Sequence, residues 1–181
     1  RLKEKVGQNG STSSAGGREE SPAAATDPHQ EVGDALALLS RRLDGIIEAR
    51  LQPYLKGLEW TVVLEQLDRV KDRVPGKYTR EDPGAQLRML TERLGNAGYP
   101  FDEPGERTVS TIGQELRTMR NRWAHHRDLD DLDAFRAHDQ VNRLLTALGD
   151  DAGAAVAAEM RDEVWVSLQP QDQASAAADD L

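Results

Sequence analysis

Apolar residues recur at three- and four-residue intervals through most of the chain, which is the period of a helix. From about Pro28 to Leu51, the positions Val32, Ala35, Leu36, Leu39, Leu43, Ile46, Ile47 and Leu51 fall on one face. Pro53 is expected to end this helix or start a short turn. A second helix is predicted over Glu59 to Arg73, with Trp60, Val63, Leu64, Leu67 and Val70 facing inward and Pro75-Gly76 as its stop. A third follows Asp82-Pro83, a capping residue and a first-turn proline, and carries Leu87, Leu90 and Leu94 as far as Gly95-Asn96. Gly98 to Gly105 reads as loop. A fourth helix is predicted from Ser110 to Arg127, with Ile112, Leu116, Met119 and Trp123 inward. A fifth starts in the acidic run Asp128 to Asp133, carries Phe135, Val141, Leu144, Leu145 and Leu148, and closes at Gly149. An Ala-rich sixth runs from about Asp151 to Trp165. Convincing strands are absent. The expected fold is all-α, an antiparallel bundle of five to six helices with short connections.

Composition changes this picture mainly at the ends. Only 38% of the 181 residues are hydrophobic and 4% aromatic, low enough to imply that part of the chain lies outside any core. Residues 1–28 contain the linker-like run Gly10 to Gly17, and residues 167–181 are Gln, Ala and Asp without period. Both read as disordered tails around one helical domain at 29–166. The first residue is Arg1, which reads as a fragment of a longer polypeptide with further domains. The absence of cysteine excludes disulfides and thiolate chemistry. No apolar run reaches membrane-spanning length and no signal peptide is evident, so a soluble, cytoplasmic protein is expected. A net charge of −9 argues against strong nonspecific nucleic-acid binding, although it leaves room for one local basic patch.

The candidate chemistry lies in one run, Arg120-Asn121-Arg122-Trp123-Ala124-His125. Guanidinium is a fixed cation for phosphate, and imidazole exchanges protons near neutral pH. On a wheel of about 100° per residue, Ile112, Leu116, Met119 and Trp123 share one face. Arg117, Asn121 and His125 step along another, flanked by Arg120 and small Ala124. His126 points toward the edge of the apolar face. Spacing alone favours a plainer reading, because Arg and His near a helix C-terminus complement its dipole.

Other constellations carry less. The run Asp128 to Asp133 lacks the glycine and glutamate of a calcium loop, and helix capping accounts for it better. Of the four histidines (His29, His125, His126 and His138), the adjacent pair points about 100° apart on a helix, so no metal is expected. Arg69, Lys71, Arg73, Lys77 and Arg80 read as a solvated helix end and loop. Trp60 and Trp123 read as core or interface residues, and Trp165 with Val166 as the docking point of the last helix.

The segment Glu115-Leu116-Arg117-Thr118-Met119-Arg120-Asn121-Arg122-Trp123-Ala124-His125 resembles the signature helix of the HEPN superfamily, the higher eukaryotes and prokaryotes nucleotide-binding domains. The form is most similar to the subgroup at the C-terminus of a eukaryotic nuclear RNA-surveillance endonuclease, which is also fused to bacterial defence proteins. Val32 to Leu39 and Asn142 to Leu148 resemble that subgroup's opening and closing helices, and the likeness covers roughly Glu31 to Asp150. Its middle, around Pro75-Gly76 and from Gly95 to Gly105, departs from the pattern.

The resemblance implies a HEPN-like helical bundle. It further implies a metal-independent endoribonuclease without cofactor, in a bacterial toxin or phage-defence setting, acting as a homodimer through the motif helix. Carried onto this chain, Arg120 holds the scissile phosphate, His125 transfers protons and Asn121 orients the phosphate or a ring nitrogen. Arg117, Arg122 and His126 are the substrate-binding candidates. RNA is the implied partner, and the products are a 2′,3′-cyclic phosphate and a 5′-hydroxyl. The rival expectation is a non-catalytic module for dimerisation or for RNA or protein binding.

Overall fold

The computed structural model describes residues 27–169. The remaining stretches, 1–26 and 170–181, hold nearly all of both expected tails and lie outside the described residues. Six helices follow in order: α1 Pro28–Leu55, α2 Thr61–Val70, α3 Pro83–Thr91, α4 Thr108–Ala124, α5 Asp131–Ala147 and α6 Asp151–Leu168, with a 3-10 turn at Gly95–Ala97. Among the described residues there is no strand, and none of these helices is long and apolar enough to cross a membrane.

Local chemistry sets the starts. The Asp27 carboxylate accepts from the His29 amide ahead of Pro28, and Asp82 does the same for the Gly84 amide ahead of Pro83. The acidic run before α5 forms a capping box, with Asp130 and Asp133 each taking the other's backbone N–H. The stops differ from expectation where tertiary packing outweighs sequence signals. α1 runs through Pro53 and ends in left-handed Lys56 and Gly57. A proline in the last turn forfeits one backbone bond there, while the turn keeps Leu51 buried and Leu55 against the core. α2 stops at Val70, which is exposed rather than inward, because the Arg73 amide turns back to the Asp68 carbonyl. α3 stops at Thr91, where Glu92 leaves the helix and pairs with Lys71 and Arg88.

The core lies along α1. Val32, Ala35, Leu36, Leu39, Leu43 and Ile47 are buried against Leu87, Met89 and Leu90 of α3, Leu116 of α4, and Val141, Leu144 and Leu145 of α5. Paired contacts fix directions. Gly113 meets Thr91 while Gly84 meets Arg120, so α3 and α4 run antiparallel. Arg122 meets Asp133 while Glu115 meets Gln140, so α4 and α5 do too. In contrast, Glu31 pairs with His138 and Arg42 with Asp150, so α1 and α5 lie side by side in the same direction. α4 therefore sits between α3 and α5 with its inner face on α1, and one long face is left uncovered.

A polar face on α4

The period that buries Ile112, Leu116 and Met119 turns the opposite side of α4 outward. Asn121 and His125 are exposed, and neither side chain hydrogen-bonds to another described residue. α4 ends one residue before His125, which is its C-cap, with the backbone amide of His125 on the Asn121 carbonyl. The predicted run to Arg127 is cut short because His126 adopts a left-handed φ of 47°. The imidazole of His125 thus stands at the lip of the helix.

The three arginines of this helix have different surroundings. Arg122 makes two bonds of 2.7 Å to the Asp133 carboxylate and a third of 3.0 Å to the Asp128 carbonyl. The Asp133 hydrogen bond holds its guanidinium above the ordinary value. These bonds spend Arg122 on joining α4 to α5. Arg117 is half-buried and reaches only neutral oxygens, Thr91 Oγ1 and Gln114 Oε1, each at 3.3 Å. Burial pushes its guanidinium below the ordinary value. Arg120 is 30% exposed, makes one bond of 3.2 Å to Asp82 Oδ1, and keeps its buried Nε without an acceptor.

His126 is held away from the strip by stacking on His29, with ring centroids 5.1 Å apart. His29 also stacks on Trp123 at 5.5 Å, and the two exchange bonds: Trp123 Nε1 donates to the His29 carbonyl, and His29 Nε2 lies 3.1 Å from the Trp123 carbonyl. The first turn of α1 thereby clasps the last turn of α4, next to His125. Sequence reasoning assigned His29 no role, since its partner is far along the chain. The clasp depends on Gly33, where an added Cβ would meet Trp123 Nε1 at 3.1 Å. Gly33→Ala is expected to lower stability by about 1 kcal/mol, an overpacking cost of about 1–3 kcal/mol being partly offset by about 1 kcal/mol of helix propensity, and to shift tryptophan emission. Urea denaturation followed by fluorescence checks both effects, and a variant as stable as wild type would show that the contact yields freely.

His138 is buried on α5 and pairs with Glu31 at 3.0 Å, so it does not join the stack of His29 and His126. Among the described residues no group of three or more His, Asp or Glu is placed to hold a metal ion. A cleft of about 670 Å³ lies at the opposite end of α4, lined by Arg50, Tyr54, Tyr99, Asp102 and Arg107 among others. Arg107 there pairs with Asp102 at 3.5 Å and covers the Tyr99 ring at 3.4 Å. Volume therefore points to one end of α4 and the unpaired polar groups to the other. The latter is the better guide, because exposed, uncommitted side chains are free to meet a ligand.

The sequence profile of the Swt1-like HEPN family matches residues 34–149, more than half of the chain, from the first turns of α1 through the end of α5. The chain belongs to the Swt1-like HEPN family. The HEPN match contains α4 entire, whereas α6 lies beyond it. A HEPN domain is consistent with either a ribonuclease or a nucleotide-binding module. No curated protein and no solved structure matches the chain.

Proposed function

We propose that this HEPN domain is a metal-independent endoribonuclease whose site is completed when two copies bring their α4 faces together, in a bacterial toxin or phage-defence setting. The observation that carries the reading is the exposure of Asn121 and His125 beside a partly exposed Arg120 held by a single 3.2 Å contact to Asp82. A side chain retained for bundle stability alone would be expected to find partners within the bundle, as Arg122 does.

In this scheme Arg120 binds the scissile phosphate and stabilises charge that builds on its oxygens. One His125 imidazole takes the proton of the ribose 2′-hydroxyl as that oxygen attacks phosphorus. A second, from the other copy, gives a proton to the departing 5′-oxygen. The bond from phosphorus to the 5′-oxygen breaks, leaving a 2′,3′-cyclic phosphate and a 5′-hydroxyl. Asn121 orients the phosphate, and Arg117 adds an RNA-backbone contact. The α4 face is open to solvent in one copy, and in this reading a second copy closes it into a cleft.

The test has two arms. Purified protein should cut structured RNA in EDTA, while an Arg120→Ala/His125→Ala double variant should not. Solution mass should show two copies, and cleavage should fall more steeply than linearly as the protein is diluted into the range where the dimer dissociates. Cleavage by both preparations, or by neither, removes the nuclease reading and leaves a binding module.

A further inference from the structure

Arg120 owes its position to α3. Asp82 Oδ1 accepts from the Gly84 amide at 2.9 Å and from Arg120 Nη2 at 3.2 Å, so one carboxylate oxygen both caps α3 and touches the guanidinium. The guanidinium lies across the first turn of that helix. A Cβ at Gly84 would sit 3.1 Å from Arg120 Cζ and 3.2 Å from both Nε and Nη2, so only a glycine leaves it undisturbed room. Asp82 is itself 39% exposed and stands on the same side as the polar strip. Compared with the two short bonds between Arg122 and Asp133, this is a single loose contact to an acid.

We infer that Asp82 is a positioning residue for Arg120, with two separable effects. Its oxygen fixes the direction of the guanidinium, and its negative charge lowers the attraction of Arg120 for an incoming phosphate. The inference rests on the reading of Arg120 as the phosphate-holding group. A carboxylate beside a cation offsets part of its field at any nearby anion, whereas a carboxamide of the same shape accepts the same hydrogen bonds without the charge. Asparagine is also as good a helix cap as aspartate, so Asp82→Asn keeps α3 intact.

The experiment compares wild type, Asp82→Asn and Asp82→Ala in the full chain. It uses a fluorescent structured RNA in EDTA to measure binding by anisotropy and cleavage under single-turnover conditions. Circular dichroism confirms the fold of each variant. Asp82→Asn should tighten RNA binding by about twofold to fivefold, the scale of a partly exposed ion pair. Asp82→Ala releases the guanidinium and should lower the cleavage rate by about tenfold or more, because misplacement of a reacting group is costly. Binding and rate equal to wild type in both variants would reduce Asp82 to a helix cap and overturn the inference. An equal loss of rate in both would also overturn it, since the charge itself would then be required.

If wild type neither binds nor cuts RNA, the nuclease reading fails separately. The orienting effect is then decided by the Arg120 Nε–Hε resonance, assigned through Arg120→Lys. Its solvent exchange should quicken in Asp82→Ala and not in Asp82→Asn. Identical exchange in all three proteins would overturn the inference.

Discussion

Replacing Arg120 and His125 together by alanine should slow RNA cleavage in EDTA by about 10³- to 10⁴-fold. Loss of a positioned proton-transfer group typically costs about 10²- to 10⁴-fold. Loss of one group that stabilises transition-state charge costs about 10²- to 10³-fold. The product of the two is not expected, because groups that act on one transition state fail as a unit. Each single variant should therefore lose nearly as much as the double. Both side chains lie at least partly in solvent, so the helical signal and denaturant midpoint should stay close to wild type. That separation between rate and stability is what a purely structural Arg120 and His125 would not give. The ends of the products add a second readout. A 5′-hydroxyl accepts phosphate from polynucleotide kinase directly, and a 2′,3′-cyclic phosphate resists extension. Products with 5′-phosphate would contradict attack by the 2′-hydroxyl.

Much of this arrangement is legible in sequence because it depends on local period. The eight inward positions assigned to α1 are buried except Ile46, which packs at the edge of the core. The separation of Ile112, Leu116 and Met119 from Arg117, Asn121 and His125 follows from helix geometry alone. The ends of elements were less legible. Pro53 and the residues after Val70 signal stops by composition, but burial of Leu51 and the turn around Asp68 decide where the helices end. α4 closes at Ala124 because the clasp of His29 and Trp123 and the left-handed His126 fix the next turn. Partners across the fold were not legible at all. Nothing near Arg122 announces Asp133, and nothing near Arg120 announces Asp82 or Gly84. Those pairings separate an arginine spent on the bundle from one held by a single loose contact, and the distinction exists only after α3, α4 and α5 have packed.

Arg88→Ala should destabilise the domain by about 3–5 kcal/mol, the usual cost of stripping one partner from a buried ion pair. Arg88 donates to Asp68 at 2.7 Å, to Glu92 at 3.1 Å and to the Tyr78 hydroxyl, which in turn donates to Asp68. The two charged partners are nearly enclosed, with side chains 12% and 4% exposed, so water cannot replace the lost bonds. This cluster ties α2 and the loop after it to α3, while Arg80, bonded to Asp44 and Glu48, ties the far end of that loop to α1. The Arg88 guanidinium, followed by the Tyr78 hydroxyl, holds the Asp68 carboxyl well below the usual carboxylate range. A folded-state value below the unfolded one, about 3.9 for aspartate, means that the contribution is complete above that pH. It is lost as pH falls further toward the folded value, where the native state must take up a proton that it resists. Wild type should therefore lose urea stability steeply below about pH 4. In Arg88→Ala the depression shrinks, because the largest cause is gone while the Tyr78 hydroxyl and the Gly76 amide still favour the charged carboxylate against its burial, so acid costs the variant less than it costs wild type. Stability of the variant, relative to its own value at neutral pH, should fall less than that of wild type between pH 5 and pH 3. Urea midpoints measured across that range decide the matter, and parallel profiles for the two proteins would show that Asp68 does not depend on Arg88.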